Sequence, residues 1–381
     1  NPSSPAWLSI PLMSEMTDDD PDAEVPDSEK TPFTIVTGFL GAGKTTLINY
    51  ILTEQKQKRI CIIENEFGEI NIDAKLIADQ VQSKEDLVTM ENGCACCSVR
   101  GDLIKTLGSL VERRKSFDAV FLETTGLADP APIIGTIHSN PWISDNFKID
   151  SVVCVADAKH VQAHLDEVKP DDAVNEAVQQ VIFADRILLN KCDLVPPEQL
   201  GEIKETITSI NHFAVVIECT RSRIADLDQI IGINSFNVER CTELDPELFI
   251  DAEAEAAASA ALPAGAPTPE LTKKRKKQHD LSMVSSCGIK VTGNFDVVKF
   301  NTFMGTLLQE RAKDIYRSKG VLSFEGQGAQ KFVFQGVHEQ IDFGPAASEW
   351  APDEARVNKL VFIGRNLDRA SLEKSLMACL V

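Results

Sequence analysis

The spacing of apolar runs along this chain predicts an α/β domain with a mostly parallel sheet, followed by a smaller α+β domain. Short apolar strands recur with helical patterns between them, as βαβ units require. The first strand ends in a glycine-rich turn that leads directly into a helix. Much further on, the alternation dissolves into an Ala/Pro-rich stretch and resumes with strands of antiparallel character. With 381 residues, against about 100 to 200 per domain, two domains are expected.

Order is expected from Phe33 onward. Residues 33–37 form an apolar run ending in Gly38, and residues 45–52 follow with helical spacing. Further strands fall at 60–63, 119–123, 152–156, 186–189 and 214–217, with helices at 103–113, 173–184 and 197–209. Residues 31–232 are thus read as one α/β domain. Residues 233–287 are read as a flexible linker, because 251–269 is rich in Ala and Pro with little to bury. The basic run at 273–277 reads as solvated linker charge, with a nuclear-localisation or anion-binding patch as the alternative. Residues 288–381 carry strands at 289–291, 320–324, 331–335 and 360–363 and helices at 296–313 and 371–376, the second domain. Residues 1–30 hold eight acids against Lys30 alone and show no periodicity, the pattern of a disordered acidic tail.

Composition removes several functions. There are 58 acidic and 38 basic side chains, a net charge of −20 whose field repels phosphate backbones, so no nucleic-acid partner is expected. No run approaches the ~18 apolar residues of a membrane span, so no membrane partner is expected either. Ten cysteines are too sparse for a disulfide-stapled secreted scaffold. The first residues lack a basic region followed by an apolar core, so the cytoplasm is the expected compartment. A plastid is the alternative if a transit segment precedes Asn1.

Gly38-Phe39-Leu40-Gly41-Ala42-Gly43-Lys44-Thr45 fits G-x-x-x-x-G-K-[ST] between a strand and a helix. Glycines let backbone N–H groups wrap phosphates, and the helix amino terminus adds positive potential. Lys44 would reach the β- and γ-phosphates, and the Thr45 hydroxyl would ligate Mg2+. Asn190-Lys191-Cys192-Asp193 follows a strand and points to guanine. The Asp193 carboxylate can accept from guanine N1–H and its 2-amino group, a donor pair adenine lacks. Asn190 would tie this loop to the phosphate loop or base edge, and the Lys191 stem would cover the ring. The strand at 119–123 ends in Glu123 and runs into Thr124-Thr125-Gly126. Glu123 is the candidate second holder of Mg2+, directly or through water, and the Gly126 N–H could sense the γ-phosphate. Cys94-Ala95-Cys96-Cys97 places three thiols in four residues, a set that suits Zn2+ or Cu+. Buried filler or a redox pair are the other uses of such cysteines. Cys61, Cys154 and Cys192 lie in or beside apolar strands and read as core or loop filler.

Taken together, Thr37 through Thr46, Glu64-Asn65-Glu66-Phe67-Gly68-Glu69, Asn92-Gly93-Cys94-Ala95-Cys96-Cys97, Glu123 through Pro130 and Asn190-Lys191-Cys192-Asp193 closely resemble the CobW family of P-loop GTPases. Phe334-Gln335-Gly336-Val337-His338 and Lys359 through Gly364 resemble that family's carboxy-terminal domain. The resemblance implies slow hydrolysis of GTP to GDP and phosphate, coupled to binding of a transition metal, most often zinc. It also implies release of that metal to a metal-requiring client protein. It assigns Cys94, Cys96 and Cys97 to the metal-binding C-x-C-C and adds Glu64 and Glu69 as acids implicated in metal coordination. Asp73 becomes a further candidate for Mg2+ or water positioning. The linker departs from the family in having only His279 where many relatives are His-rich. There is also no cysteine before Cys61 to form the Cys-Pro-x-x-x-Pro client motif of one zinc-delivering branch, so delivery to that branch's aminopeptidase is not expected. His160 and His164, read as exposed helix histidines, and His338 are the candidates for a missing fourth ligand. A regulatory GTPase that controls a protein assembly, with structural or redox-active thiols, is the alternative function.

Overall fold

The computed structural model describes residues 29–64, 87–89, 98–167, 169, 175–235 and 284–381. Among them, β1 (Thr31–Thr37), β2 (Ile60–Glu64), β3 (Leu87–Thr89), β4 (Ala119–Glu123), β5 (Phe147–Asp157), β6 (Arg186–Asn190) and β7 (Val215–Glu218) form one parallel sheet in the order β3-β2-β4-β1-β5-β6-β7. Helices α1 (Lys44–Glu54), α2 (Ser98–Val111), α3 (Ala131–Ser139), α4 (Pro141–Ser144), α5 (Val161–Leu165), α6 (Glu176–Phe183) and α7 (Pro197–Ile210) connect them. The central strands are largely apolar because both sheet faces are covered. Phe33 and Ile35 of β1 point into a core shared with α2, α3, α6 and α7. Val36 points the other way, toward Leu47, Ile48 and Ile51 of α1.

β1 is central, and the chain fills one side of it with β2, β3 and β4 before crossing to the other for β5, β6 and β7. Loops at the carboxyl ends of β1 and β4 therefore open at the point where strand order reverses, where such sheets bind ligands.

β5 begins at Phe147 rather than near 152. Lys148 and Asp150 interrupt the apolar run, which hid its first half from the sequence. Asp150 is fully buried, and its carboxylate accepts from Gly232 N (2.9 Å), Asn234 N (2.6 Å) and the Thr34 hydroxyl (3.3 Å). Those bonds, with Ser235 N on the Asp150 carbonyl at 2.7 Å, keep the chain on the sheet past residue 232.

The second domain is a five-stranded antiparallel sheet of β8 (Val284–Thr292), β9 (Ile315–Leu322), β10 (Gln330–Val337), β11 (Gln340–Glu349) and β12 (Val357–Arg365), in the order β11-β10-β9-β12-β8. Helices α8 (Val297–Arg311) and α9 (Arg369–Met377) cover one face over a Phe-rich core. β8 starts at Val284, before the expected start at 288, because Val284 pairs with Arg365 of β12 and the polar Ser285 and Ser286 concealed the strand. β11 was not expected at all, since Gly344 and Pro345 break its pattern. It lies at the sheet edge, where Pro is tolerated. Tyr316, Val337 and Ile363 from the opposite face join the core of the first domain.

Candidate functional site

The glycine-rich turn takes its shape from contacts that leave no room for side chains. Gly38 has φ 138°, and a Cβ there would stand 2.2 Å from the Val155 carbonyl oxygen of β5. Gly43 has φ 115°, and its Cβ would stand 2.5 Å from Asn190 Nδ2 and 2.7 Å from Ser222 Oγ. Gly41 also adopts positive φ, Ala42 is fully buried, and Thr46 is exposed on the first turn of α1. Lys44 opens α1 and is buried. Its Nζ crosses the loop to donate to the carbonyls of Gly38 (2.8 Å) and Phe39 (3.1 Å). Burial lowers its ammonium pKa, while the nearby Glu123 carboxylate works in the opposite direction. Below it, burial pushes the Cys154 thiol up to about 12, so that sulfur is a neutral packing group.

Thr45 Oγ1 donates to Glu123 Oε1 at 2.9 Å, which joins the first helical turn to the end of β4. A hydroxyl and a carboxylate in contact are hard oxygen donors of the kind Mg2+ takes beside phosphates. These two side chains fit that ion and would hold it, and the bound ion would neutralise charge on the phosphates.

The base-reading loop is locked to the phosphate loop. Asn190 Nδ2 donates to the Ala42 carbonyl (2.9 Å) and Ser222 Oγ (3.0 Å), and its Oδ1 accepts from Ser222 N (2.8 Å). Lys191, in the left-handed region at φ 62°, donates to the Gly41 carbonyl (2.8 Å) and to Asp157 Oδ2 (2.7 Å). Its aliphatic stem is thereby stretched into a fixed wall. Asp193 is exposed beside it, its carboxylate open to a base edge. Asp193→Asn removes one acceptor and adds a donor, which matches xanthine rather than guanine. GTP affinity is expected to fall roughly 100-fold with a gain for XTP, measured with fluorescent nucleotides. Unchanged GTP binding would mean that Asp193 does not read the base.

The loop after β4 packs directly on the phosphate loop. A Cβ on Gly126 would stand 2.6 Å from Leu40 N. Thr124 N donates to the Val36 carbonyl, and Asp129 Oδ1 accepts from Ala131 N at 2.9 Å, starting α3. Burial raises the Asp129 pKa, an effect partly offset by that N–H and by nearby His338.

Glu64 is buried at the end of β2, in register with Glu123 of β4 and Thr89 of β3. Glu69, Asp73, Cys94, Cys96 and Cys97 lie outside the described residues. Among the described residues, β2 ends at Glu64, β3 spans Leu87–Thr89, and α2 begins at Ser98, directly after Cys97 in the sequence. Of the histidines, His160 is exposed with Nδ1 on Asp157 Oδ2 at 2.9 Å. His164 is half-buried rather than exposed, because its ring stacks on Phe39 with centroids 3.7 Å apart. His338 turns its Nδ1 to the Ala312 carbonyl at 3.2 Å in the second domain.

Two residues of the site were missed by sequence reasoning. Ser222 is fully buried and donates to the Gly43 carbonyl at 2.9 Å, within a turn where it and Arg221 both have φ 54°. Asp157 braces Lys191 from the end of β5; the available signal was an acid closing an apolar strand, as in Glu123.

A parallel sheet with a phosphate loop at its reversal point, a Thr–Glu oxygen pair and an Asn-Lys-x-Asp loop defines a P-loop GTPase. The chain belongs to the CobW family. Residues 32–218 match the family model for the CobW/HypB/UreG nucleotide-binding domain, and residues 284–380 match that for the cobalamin synthesis protein CobW C-terminal domain. It is 32% identical over 342 residues to the zinc chaperone YjiA of Escherichia coli, covering 88% of this chain and 94% of that protein. It is 29% identical over 386 residues to the zinc-regulated GTPase metalloprotein activator 1 of Schizosaccharomyces pombe, covering 96% of this chain and 92% of that protein. Its fold resembles the crystal structure of Zn(II)-bound YjiA GTPase with a TM-score of 0.67 and 26% identity, over 92% of this chain and 99% of that one.

Proposed function

We propose that this protein is a GTP-hydrolysing metallochaperone that holds Zn2+ at Cys94, Cys96 and Cys97 and passes it to a client metalloprotein. The observation that carries the reading is the level at which three strands end. Glu123 contacts Thr45 of the phosphate loop, and beside it in register Glu64 ends β2 and Thr89 ends β3, shortly before Cys94 in the sequence. In this reading, nucleotide chemistry and metal capture share the carboxyl end of the sheet. Membership of a family whose relatives are named zinc chaperones and zinc-regulated activators supports the choice of zinc.

Hydrolysis follows from positioning and charge. The γ-phosphate lies among the loop N–H groups, Lys44 neutralises charge as it spreads onto the phosphate oxygens, and a water attacks in line without covalent chemistry. Thr45 and Glu123 would hold Mg2+, which would neutralise charge on the phosphates, and the Gly126 N–H would meet the γ-phosphate. Loss of the γ-phosphate removes its contact with the Gly126 N–H, and that change, passed on from the 124–130 loop, alters the affinity of the thiol site. GTP and metal affinities are therefore linked reciprocally. Thiolates in this spacing would pair in an oxidising environment, so delivery is placed in a reducing compartment, the cytoplasm being the simplest.

The test is metal stoichiometry of the full chain with Cys94, Cys96 and Cys97 all changed to Ser. Zn2+ retention is expected to fall from about one per chain to near none, while GDP binding persists. Retention at the original stoichiometry would remove the thiols from the metal site and favour a regulatory GTPase with structural thiols.

A further inference from the structure

The loop after β4 is fixed at its start by Thr124 N and at its end by the Asp129–Ala131 contact. Its middle is held by a side chain from outside the nucleotide motifs. Gln180 of α6 is 1% exposed, and its amide donates to the carbonyls of both Gly126 and Ala128 at 3.2 Å. These two bonds pin the chain on either side of Leu127. On the other side of the loop, Gly126 lies against the Leu40 backbone so closely that even a methyl group would collide. The loop is thus held between the phosphate loop and Gln180.

The helix that carries Gln180 is itself immobilised. Residues 177–183 are buried, and the N-cap Asn175 accepts from Val178 N at 3.1 Å. At the other end, Asn211 donates to the carbonyls of Val181, Ile182 and Ala184, at 2.7, 3.0 and 2.9 Å. Arg317 of the second domain donates to those of Phe183 and Ala184 at 3.1 and 3.0 Å. A cationic cap at a helix carboxyl terminus also opposes the negative end of its dipole. A short helix tied at both ends is a rigid mount for an amide that must stay within hydrogen-bond reach of two carbonyls.

We propose that Gln180 is a positioning residue for GTP hydrolysis, holding the 124–130 loop against the phosphate loop so that the Gly126 N–H meets the γ-phosphate. This rests on the role given to Gly126 above. Gln180 touches neither nucleotide nor attacking water; it acts through the loop. Its removal therefore affects the GTP state, where the loop engages a γ-phosphate, and spares the GDP state, where the phosphate and base loops suffice.

The experiment uses full-length Gln180→Met, which keeps the volume and removes both donors. The readouts are steady-state kinetics, affinities for GDP and GMPPNP, and the thermal midpoint. Roughly a tenfold fall in kcat, weaker GMPPNP binding and GDP affinity within about twofold of the parent are expected from loss of two net hydrogen bonds. Equal weakening of GDP and GMPPNP, or a lowered thermal midpoint with kcat unchanged, would make Gln180 a structural residue and overturn the proposal. If the Met variant does not fold, Gln180→Asn, too short to span both carbonyls, is read in the same way. Failure of both to fold overturns it as well. Gly126→Ala separates the two levels. If it leaves kcat intact, the role of Gly126 fails. If it lowers kcat and the Gln180 variants do not, only the proposal fails.

Discussion

Lys44→Met is expected to lower kcat for GTP roughly 1,000-fold, the range seen when a preorganised charge is removed from a transition state that spreads negative charge over phosphate oxygens. The argument rests on the environment of Lys44. It is buried, with its Nζ over the loop carbonyls of Gly38 and Phe39, so its charge acts in a medium that screens it poorly. Burial costs the ammonium part of its basicity, and Glu123 restores some of it. Met is of similar length and fills the buried space of the Lys44 side chain, so the fold is expected to survive. A single-turnover assay with labelled GTP measures the effect, with circular dichroism as the check on folding. A folded K44M variant that keeps more than a tenth of parental kcat would show that this loop is not the catalytic phosphate site.

Arg317→Met is expected to lower stability by about 3–5 kcal/mol, the cost of leaving a buried charge without its partner. Arg317 is 1% exposed and pairs with Asp185, which is 2% exposed. Asp185 also accepts from Val152 N at 2.9 Å, so its carboxylate is built into the sheet and cannot turn to water. Without Arg317, the carbonyls of Phe183 and Ala184 lose donors that come from across the domain boundary. The double variant Arg317→Met with Asp185→Asn removes the stranded charge and is expected to recover part of the loss. Thermal denaturation of the parent, the single and the double variants checks this. A single variant within about 1 kcal/mol of the parent would mean that the ion pair contributes little to seating the second domain.

The two variants fall on opposite sides of what could be read in advance. Lys44, Thr45, Asn190 and Asp193 were legible because phosphate and guanine binding need particular residue types at short spacings beside a strand end. Glu123 was legible for the same reason, and the structure places it 2.9 Å from Thr45 although 78 positions separate them. Gln180, Ser222 and Arg317 gave no such signal. Each acts through a contact with a residue 54, 179 or 132 positions away, and nothing local distinguishes it from an ordinary polar residue.

The elements divide in the same way. β1 and β4 were found from apolar runs, since strands covered on both faces are rich in apolar residues. β11 and the first half of β5 were not. β11 owes its existence to edge pairing with β10, and β5 buries Asp150 where the returning chain supplies donors. The sequence by itself determined the parallel P-loop domain, the guanine-reading loop and the acidic excess of −20. Tertiary structure decided how the 124–130 loop is clamped, how Lys191 is braced and where the second domain sits. Motif chemistry is local and leaves its mark in adjacent residues, whereas buried hydrogen bonds and ion pairs depend on which distant groups the fold brings within about 3 Å.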